Sequence, residues 1–290
     1  MRQDVLFLFT RFSYLRAMKR IILLALMLPL ALIATAQSQS AWADKAYTYM
    51  EQDSLMQAEE CFKKAIEAAP ESKQSAMLLA NLGTVQRQRG KVREAIDTYT
   101  SALERSPLTT SILMNRAEAY LTLGNDDKAY IDLCNVLDKK PNHAEALYYR
   151  AFIYTNRRNY AAARSDYKRL LSLQPDHENA LLGMALLDQR EGRLQSAELQ
   201  LTALIERHPA NTTYLQARAN ILIEQKYYDL ALLDLEAAIT LEPSNAPLYV
   251  ARAELYLKMK RHAAAKHDLD KATALGLPRT ALSELYKQCD

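Results

Sequence analysis

Residues 141–174 read PNHAEALYYRAFIYTNRRNYAAARSDYKRLLSLQ, and the residue that follows is again a proline, Pro175. The same interval of 34 residues separates Pro107, Pro141, Pro175, Pro209 and Pro243. Five prolines in one register mark a stacked repeat, and the other columns show what each copy is made of. With the proline at position 32, position 20 holds Ala95, Ala129, Ala163, Ala197, Ala231 and Ala265, and position 8 holds Gly83, Ala117, Ala151, Ala185, Ala219 and Ala253. Small residues in two columns let two helices approach closely. Bulky residues fill the space beside them: Tyr99, Leu133, Tyr167, Leu201, Leu235 and Leu269 at position 24, and Leu79, Leu113, Leu147, Leu181, Leu215 and Tyr249 at position 4. Gly90, Gly124 and Gly192 interrupt the pattern near position 15. Each copy therefore reads as two amphipathic helices of roughly a dozen residues, closed by a proline turn.

One further copy lies upstream, with Trp42, Ala46, Tyr49, Ala58, Phe62, Ala65 and Pro70 in the matching columns. This run, with Asn81-Leu82-Gly83 in the next copy, resembles the tetratricopeptide repeat (TPR), whose signature is a Trp, Leu-Gly, Tyr, Ala, Phe and Pro pattern over 34 residues. The last copy departs from it, with Leu277 at position 32 and Pro278 one place later. Seven copies are expected, at 39–72, 76–109, 110–143, 144–177, 178–211, 212–245 and 246–277. A single pair of helices cannot cover its own apolar face, so neighbours must stack and share a core. The expected fold is all-α, a TPR-type α-solenoid of helix-turn-helix pairs; the resemblance implies a right-handed superhelix with a concave inner face. Residues 278–290 are expected to cap the open end through a short helix, about Thr280 to Gln288, that applies Leu282 and Leu285 and exposes Glu284 and Lys287.

Composition and charge narrow the function classes. The 290 residues include only 6 Gly, which argues against Gly-rich phosphate cradles and turn-dense all-β folds. Residues 1–36 read as a secretory signal: Met18, Lys19 and Arg20 form a short basic segment, Ile21 to Ile33 an apolar one, and Ala34-Thr35-Ala36 a small-residue cleavage pattern. Translation starting at Met18 would yield an equally good signal. The competing reading, an uncleaved anchor, is disfavoured by a length under the roughly 20 residues of a spanning helix and by Pro29. This leader holds Arg2, Arg11, Arg16, Lys19 and Arg20 against Asp4. Without it the 37 basic and 34 acidic residues fall to 32 and 33, so the net charge of +3 belongs to the leader. No basic stripe remains for nucleic acid, and no cationic amphipathic helix for a lipid surface. The expected location is outside the cytoplasm, in the periplasm or secreted, with no stable membrane insertion after cleavage.

No sequence constellation points to catalysis. The GxSxG elbow, the phosphate loop with its lysine, GxGxxG and HExxH are all missing, so neither a catalytic residue, a cofactor, a small-molecule substrate nor a metal is expected. His143 and His177 follow the repeat proline, where a hydrogen-bond acceptor starts the next helix, and Asn211 and Asn245 occupy the same column. Cys61 and Cys134 lie two copies apart, beyond disulfide reach, while Cys289 stands at the tail. Arg116, Arg150, Arg218 and Arg252 recur at position 7, near the helix interface, and are expected to pair with acidic residues of the same array.

The TPR resemblance implies a partner-binding groove lined by first-helix positions 2, 5, 9, 12 and 13. In this chain those positions are apolar at the centre, with Met114, Tyr148, Phe152, Leu182 and Leu186, and beside these stand Asn156, Gln189, Arg190 and Asn220, able to bond a peptide main chain. Such side chains either line a groove for a protein or peptide segment or pack between adjacent first helices. Tyr47 with Met50 is a second candidate cluster, with end-capping as its alternative. The Lys, Asn and Arg set by which some TPR domains hold a chaperone's terminal carboxylate is not reproduced: Asn81 and Asn115 are present, but the next copy has Glu145 and Tyr149. The expected function is a non-enzymatic scaffold of the cell envelope; the alternative is a structural subunit touching partners through its convex face and ends.

Overall fold

The computed structural model describes residues 37–72 and 74–289, and all regular structure among them is helical. The expected leader lies outside the described residues. The chain divides into two compact units, one ending at Pro141 and the other beginning at Asn142. The first holds α1 (37–51), α2 (Leu55–Ala68), α3 (Ser75–Gln88), α4 (Val92–Arg105), α5 (Thr110–Thr122) and α6 (Asp126–Lys139). The second holds α7 (Ala144–Asn156), α8 (Tyr160–Leu173), α9 (Glu178–Arg190), α10 (Leu194–Arg207), α11 (Thr212–Glu224), α12 (Tyr228–Leu241), α13 (Ala246–Lys258) and α14 (His262–Ala274), then a 3-10 turn (Arg279–Leu282) and α15 (Ser283–Lys287). Within each unit consecutive helices pack as antiparallel pairs and each pair packs on the next, the arrangement of an α-solenoid. No helix among the described residues is long and apolar enough to cross a membrane.

The core follows the repeat columns. The alanines of positions 8 and 20 are buried where paired helices meet, and the Leu and Tyr side chains of position 24 are buried beside them. A second column governs the reversal between paired helices. Gly90, Gly124 and Gly192 have φ of +77°, +69° and +77°, and Arg158, Lys226 and Lys260, in the same column, have +58°, +67° and +59°. At each of these turns the amide three residues past the helix reaches back to a carbonyl in its last turn, as in Lys91 N to Gln86 O at 2.9 Å and Asn159 N to Tyr154 O at 2.8 Å. The turn is therefore built whether or not glycine is present. A left-handed L-residue costs about 1–2 kcal/mol, which exceeds the roughly 0.5–1 kcal/mol that glycine loses in chain entropy. Arg158→Gly is accordingly expected to raise stability by about 0.5–1 kcal/mol, read as a higher urea midpoint; an unchanged or lower midpoint would refute the account.

Three of the helix starts after a repeat proline are capped as the residue types dictate. Nδ1 of His143 and of His177 accepts from the amides of Ala146 and Ala180 at 3.4 and 3.2 Å, and Asn211 Oδ1 accepts from Thr213 N at 3.0 Å. Asn245 makes no such cap. Pro247 at the second helical position has removed one of the amides that a cap would bind, and Asn245 instead donates to Glu242 Oε2 at 2.6 Å. At the carboxyl end Leu282 is buried and Leu285 partly buried, while Glu284 and Lys287 face solvent. Tyr286 is buried too, its hydroxyl donating to Asp270 Oδ1 at 2.9 Å, so this segment is tied down by a polar contact as well as by leucines. All three cysteines are free thiols.

Candidate functional site

Four of the repeats carry the same buried rung. The guanidinium of Arg116 holds Asp132 through two bonds of 2.8 Å, and Arg150–Asp166, Arg218–Asp234 and Arg252–Asp268 repeat this with bonds of 2.7–2.9 Å. Each rung ties a first helix to the second helix of its own pair, and the carboxylate holds Arg116, Arg218 and Arg252 above the usual arginine range. These arginines are thus committed inside the array rather than offered to an acidic ligand. The fifth copy has Met184 and Gln200 in the rung positions, and a different node replaces the rung. Buried Asp188 on α9 accepts from Ser196 Oγ and Gln200 Nε2 at 2.6 Å each, from Arg193 Nη2 at 2.7 Å and from Arg164 Nη2 at 2.5 Å. This node anchors α9 to α8 and α10, and α9 is the central helix of the site.

Next to that helix the second unit has a cavity of about 560 Å³, lined by Phe152, Thr155 and Asn156 of α7, Tyr167 of α8, Gly183, Leu186, Gln189 and Arg190 of α9, and Asn220 and Glu224 of α11. Helices α7, α9 and α11 are neighbouring first helices, and residues four apart share one face of each. One row across the three is Phe152, Leu186, Asn220; the row a turn away is Asn156, Arg190, Glu224. The floor is set by a glycine. A Cβ on Gly183 would lie 2.6 Å from Tyr167 Cζ and 2.8 Å from its Oη, so the ring of Tyr167 occupies the space that a side chain would need. Burial, with the neighbouring Tyr148 adding to it, pushes the Tyr167 phenol up to about 12. Across the opening Gln189 Nε2 donates to Glu224 Oε1. Asn156, Arg190 and Asn220 are exposed, and their side chains make no hydrogen bond or ion pair among the described residues.

Six of the nine residues expected in a groove therefore meet around one cavity: Phe152, Asn156, Leu186, Gln189, Arg190 and Asn220. The other three do not line it. Met114 belongs to the first unit and is 4% exposed, so its side chain is core. Tyr148 is half-buried among the rings of Tyr149, Tyr167 and His177, with centroids 5.3, 6.3 and 5.8 Å away, and Leu182 packs partly buried on the core around Leu201 and Tyr214. For these three, packing between helices prevails because position 5 points closer to the neighbouring pair than position 9 does. Glu224 was legible, since it shares its column with Asn156 and Arg190. Tyr167 was not, because a second-helix core position reaches the site only through the missing side chain of Gly183. At the amino end Tyr47 packs edge-on against Phe62, with centroids 5.4 Å apart, and accepts from Asn81 Nδ2 at 2.8 Å, while Met50 lies against the same core. That cluster is engaged in holding α1, α2 and α3 together.

Buried rungs, shared interhelical cores and a cleft across first helices define a helical-hairpin repeat protein. Tetratricopeptide repeat models match residues 35–107, 81–142, 144–177, 181–246 and 246–275. A tetratricopeptide repeat protein from Parabacteroides merdae ATCC 43184, known from its crystal structure, is 33% identical; the match covers 87% of this chain and 99% of that one, with a TM-score of 0.76. The chain belongs to the tetratricopeptide repeat family. More distant structures share the fold: YrrB, a TPR protein with an unusual peptide-binding site, at 20% identity (70% of this chain, 100% of that one, TM-score 0.54), and PilW, a widely conserved type IV pilus biogenesis factor, at 18% (74% and 98%, TM-score 0.64). No curated protein matches the sequence.

Proposed function

We propose that this protein is an exported, non-enzymatic scaffold of the cell envelope that holds a segment of a partner protein in the cleft across α7, α9 and α11. The observation that carries the reading is the meeting of an exposed aromatic ring, a half-buried leucine and three uncommitted polar side chains around one cavity on the face that the family uses for partners. Export rests on the leader-like composition of residues 1–36. Phe152, 43% exposed, is the informative residue to truncate, because shortening the half-buried Tyr148 would disturb packing as well. Phe152→Ala is expected to reduce capture of the partner by in-cell crosslinking at least about ten-fold, the size of an aromatic anchor's contribution, with helicity and melting unchanged. Undiminished capture would defeat the reading.

A specific observation favours a second reading, a structural subunit that docks through its second helices. Leu199 on α10 and Leu233 on α12 stand at the same repeat position and are 71% and 61% exposed, with Leu230 and Tyr227 exposed nearby in sequence. In that case Leu199→Ser with Leu233→Ser abolishes capture and Phe152→Ala does not.

A further inference from the structure

The cleft narrows the chemistry of its ligand, given the reading of it as a peptide site. Its apolar part is one corner, formed by Phe152 and Leu186 above the Tyr167 ring and Gly183. Its uncommitted donors are Asn156, Asn220 and, between them, the guanidinium of Arg190, which has no carboxylate partner among the described residues. The one carboxylate lining the cleft, Glu224, is engaged by Gln189, which sits beside Arg190 on the same helix. The cleft therefore presents an apolar socket and, one turn away, a guanidinium without an ion pair flanked by two amide donors, with the Glu224 carboxylate already taken up by Gln189. Leu186 and Arg190 are four residues apart on α9, about 6 Å along the helix axis. In an extended chain two side chains on the same face, residues i and i+2, are about 6.6–7 Å apart.

The geometry points to an extended segment in which an apolar side chain is followed two residues later by a carboxylate. The apolar side chain enters the corner between Phe152 and Leu186, and the carboxylate accepts from Arg190, with Asn156 and Asn220 on either side able to donate to it or to the adjoining main chain. An Asp or Glu side chain supplies that carboxylate.

An array of seven-residue peptides tests this, probed with the labelled full-length protein. The central motif is Leu-Ser-Glu, Leu-Ser-Gln or Leu-Ser-Lys in acetylated, amidated peptides; a fourth set ends in Leu-Ser-Gly with a free carboxylate, and a fifth separates Leu and Glu by four serines. Retention on Leu-Ser-Glu is expected to exceed that on the Gln and Lys peptides at least ten-fold, and to exceed the widely spaced set. Weaker retention on the free-carboxylate set supports a side-chain carboxylate, and stronger retention there than on Leu-Ser-Glu overturns that assignment in favour of a chain terminus. Arg190→Gln should erase the difference between Glu and Gln, and Arg190→Glu should transfer the preference to Leu-Ser-Lys, with far-UV circular dichroism unchanged. Equal retention of Glu and Gln by the wild type overturns the carboxylate proposal and leaves the peptide cleft standing. Retention of no peptide overturns the proposal, and if Phe152→Ala also leaves partner capture intact, the cleft reading falls with it.

Discussion

Asp132→Ala is expected to lower the unfolding free energy by about 3 kcal/mol, near the lower end of the range for removing one member of a buried ion pair. The side chains of Asp132 and Arg116 are 2% and 19% exposed. Two parallel bonds of 2.8 Å satisfy the carboxylate, and a third, from Arg116 to Thr100 Oγ1 at 3.0 Å, fixes the guanidinium from α4. Removing the carboxylate leaves a partly desolvated cation with only Thr100 to bind, and that uncompensated charge is the main cost. Removing both charges is a different change: Arg116→Met with Asp132→Leu is expected to be near neutral, because an apolar pair of similar volume avoids the desolvation penalty. Equilibrium urea unfolding of the two variants checks this. A loss below about 1 kcal/mol for Asp132→Ala would class the rung with surface pairs and sink the argument that it ties the helix pair together.

The second large effect is expected at Gly183. With the Cβ of an alanine 2.6 Å from Tyr167 Cζ, either the ring or the backbone of α9 must shift. The Asp188 node resists a shift of the backbone. Overpacking of this kind costs about 1–3 kcal/mol. The array itself suggests the rescue, since Leu133, Leu201, Leu235 and Leu269 occupy the column of Tyr167. In a Tyr167→Leu background Gly183→Ala should cost little, so a double-mutant cycle should show a coupling of at least about 1 kcal/mol. The same logic joins Gly83 to Tyr99, whose Cε1 would lie 2.7 Å from an added Cβ. An equal cost of Gly183→Ala in both backgrounds would show that the ring is not what excludes a side chain there.

Much of the fold could be read before any coordinates, because a repeat states its rules several times. Alanine at positions 8 and 20 in five successive copies admits one explanation, two helices in close contact, and each of those alanines is buried. The arginines of position 7 were legible as internal pairs for the same reason, since an aspartate stands 16 residues after each of them. Reading failed where one copy departs from the rest. The left-handed turns at Arg158, Lys226 and Lys260 carry no glycine to mark them, and the missing cap at Asn245 depends on a proline two residues away. In the fifth copy Gly183, Met184 and Gln200 remove the usual side chains, and nothing in the linear pattern shows that Asp188 takes over their work.

By itself the sequence determined the period, the helix pairs and the face of each first helix that points away from its partner, since these follow from residue size and helical spacing within a few dozen residues. Tertiary structure alone decided which of those outward positions remain accessible. Met114 and Phe152 occupy first-helix groove positions, yet one is core and the other a cleft wall. The difference lies in how adjacent pairs pack: position 5, held by Met114, is covered by neighbouring helices, whereas position 9, held by Phe152, is left at the surface. The cleft exists because a ring from one repeat fills the space left by a glycine in the next, a relation between distant positions that only the packed chain brings together.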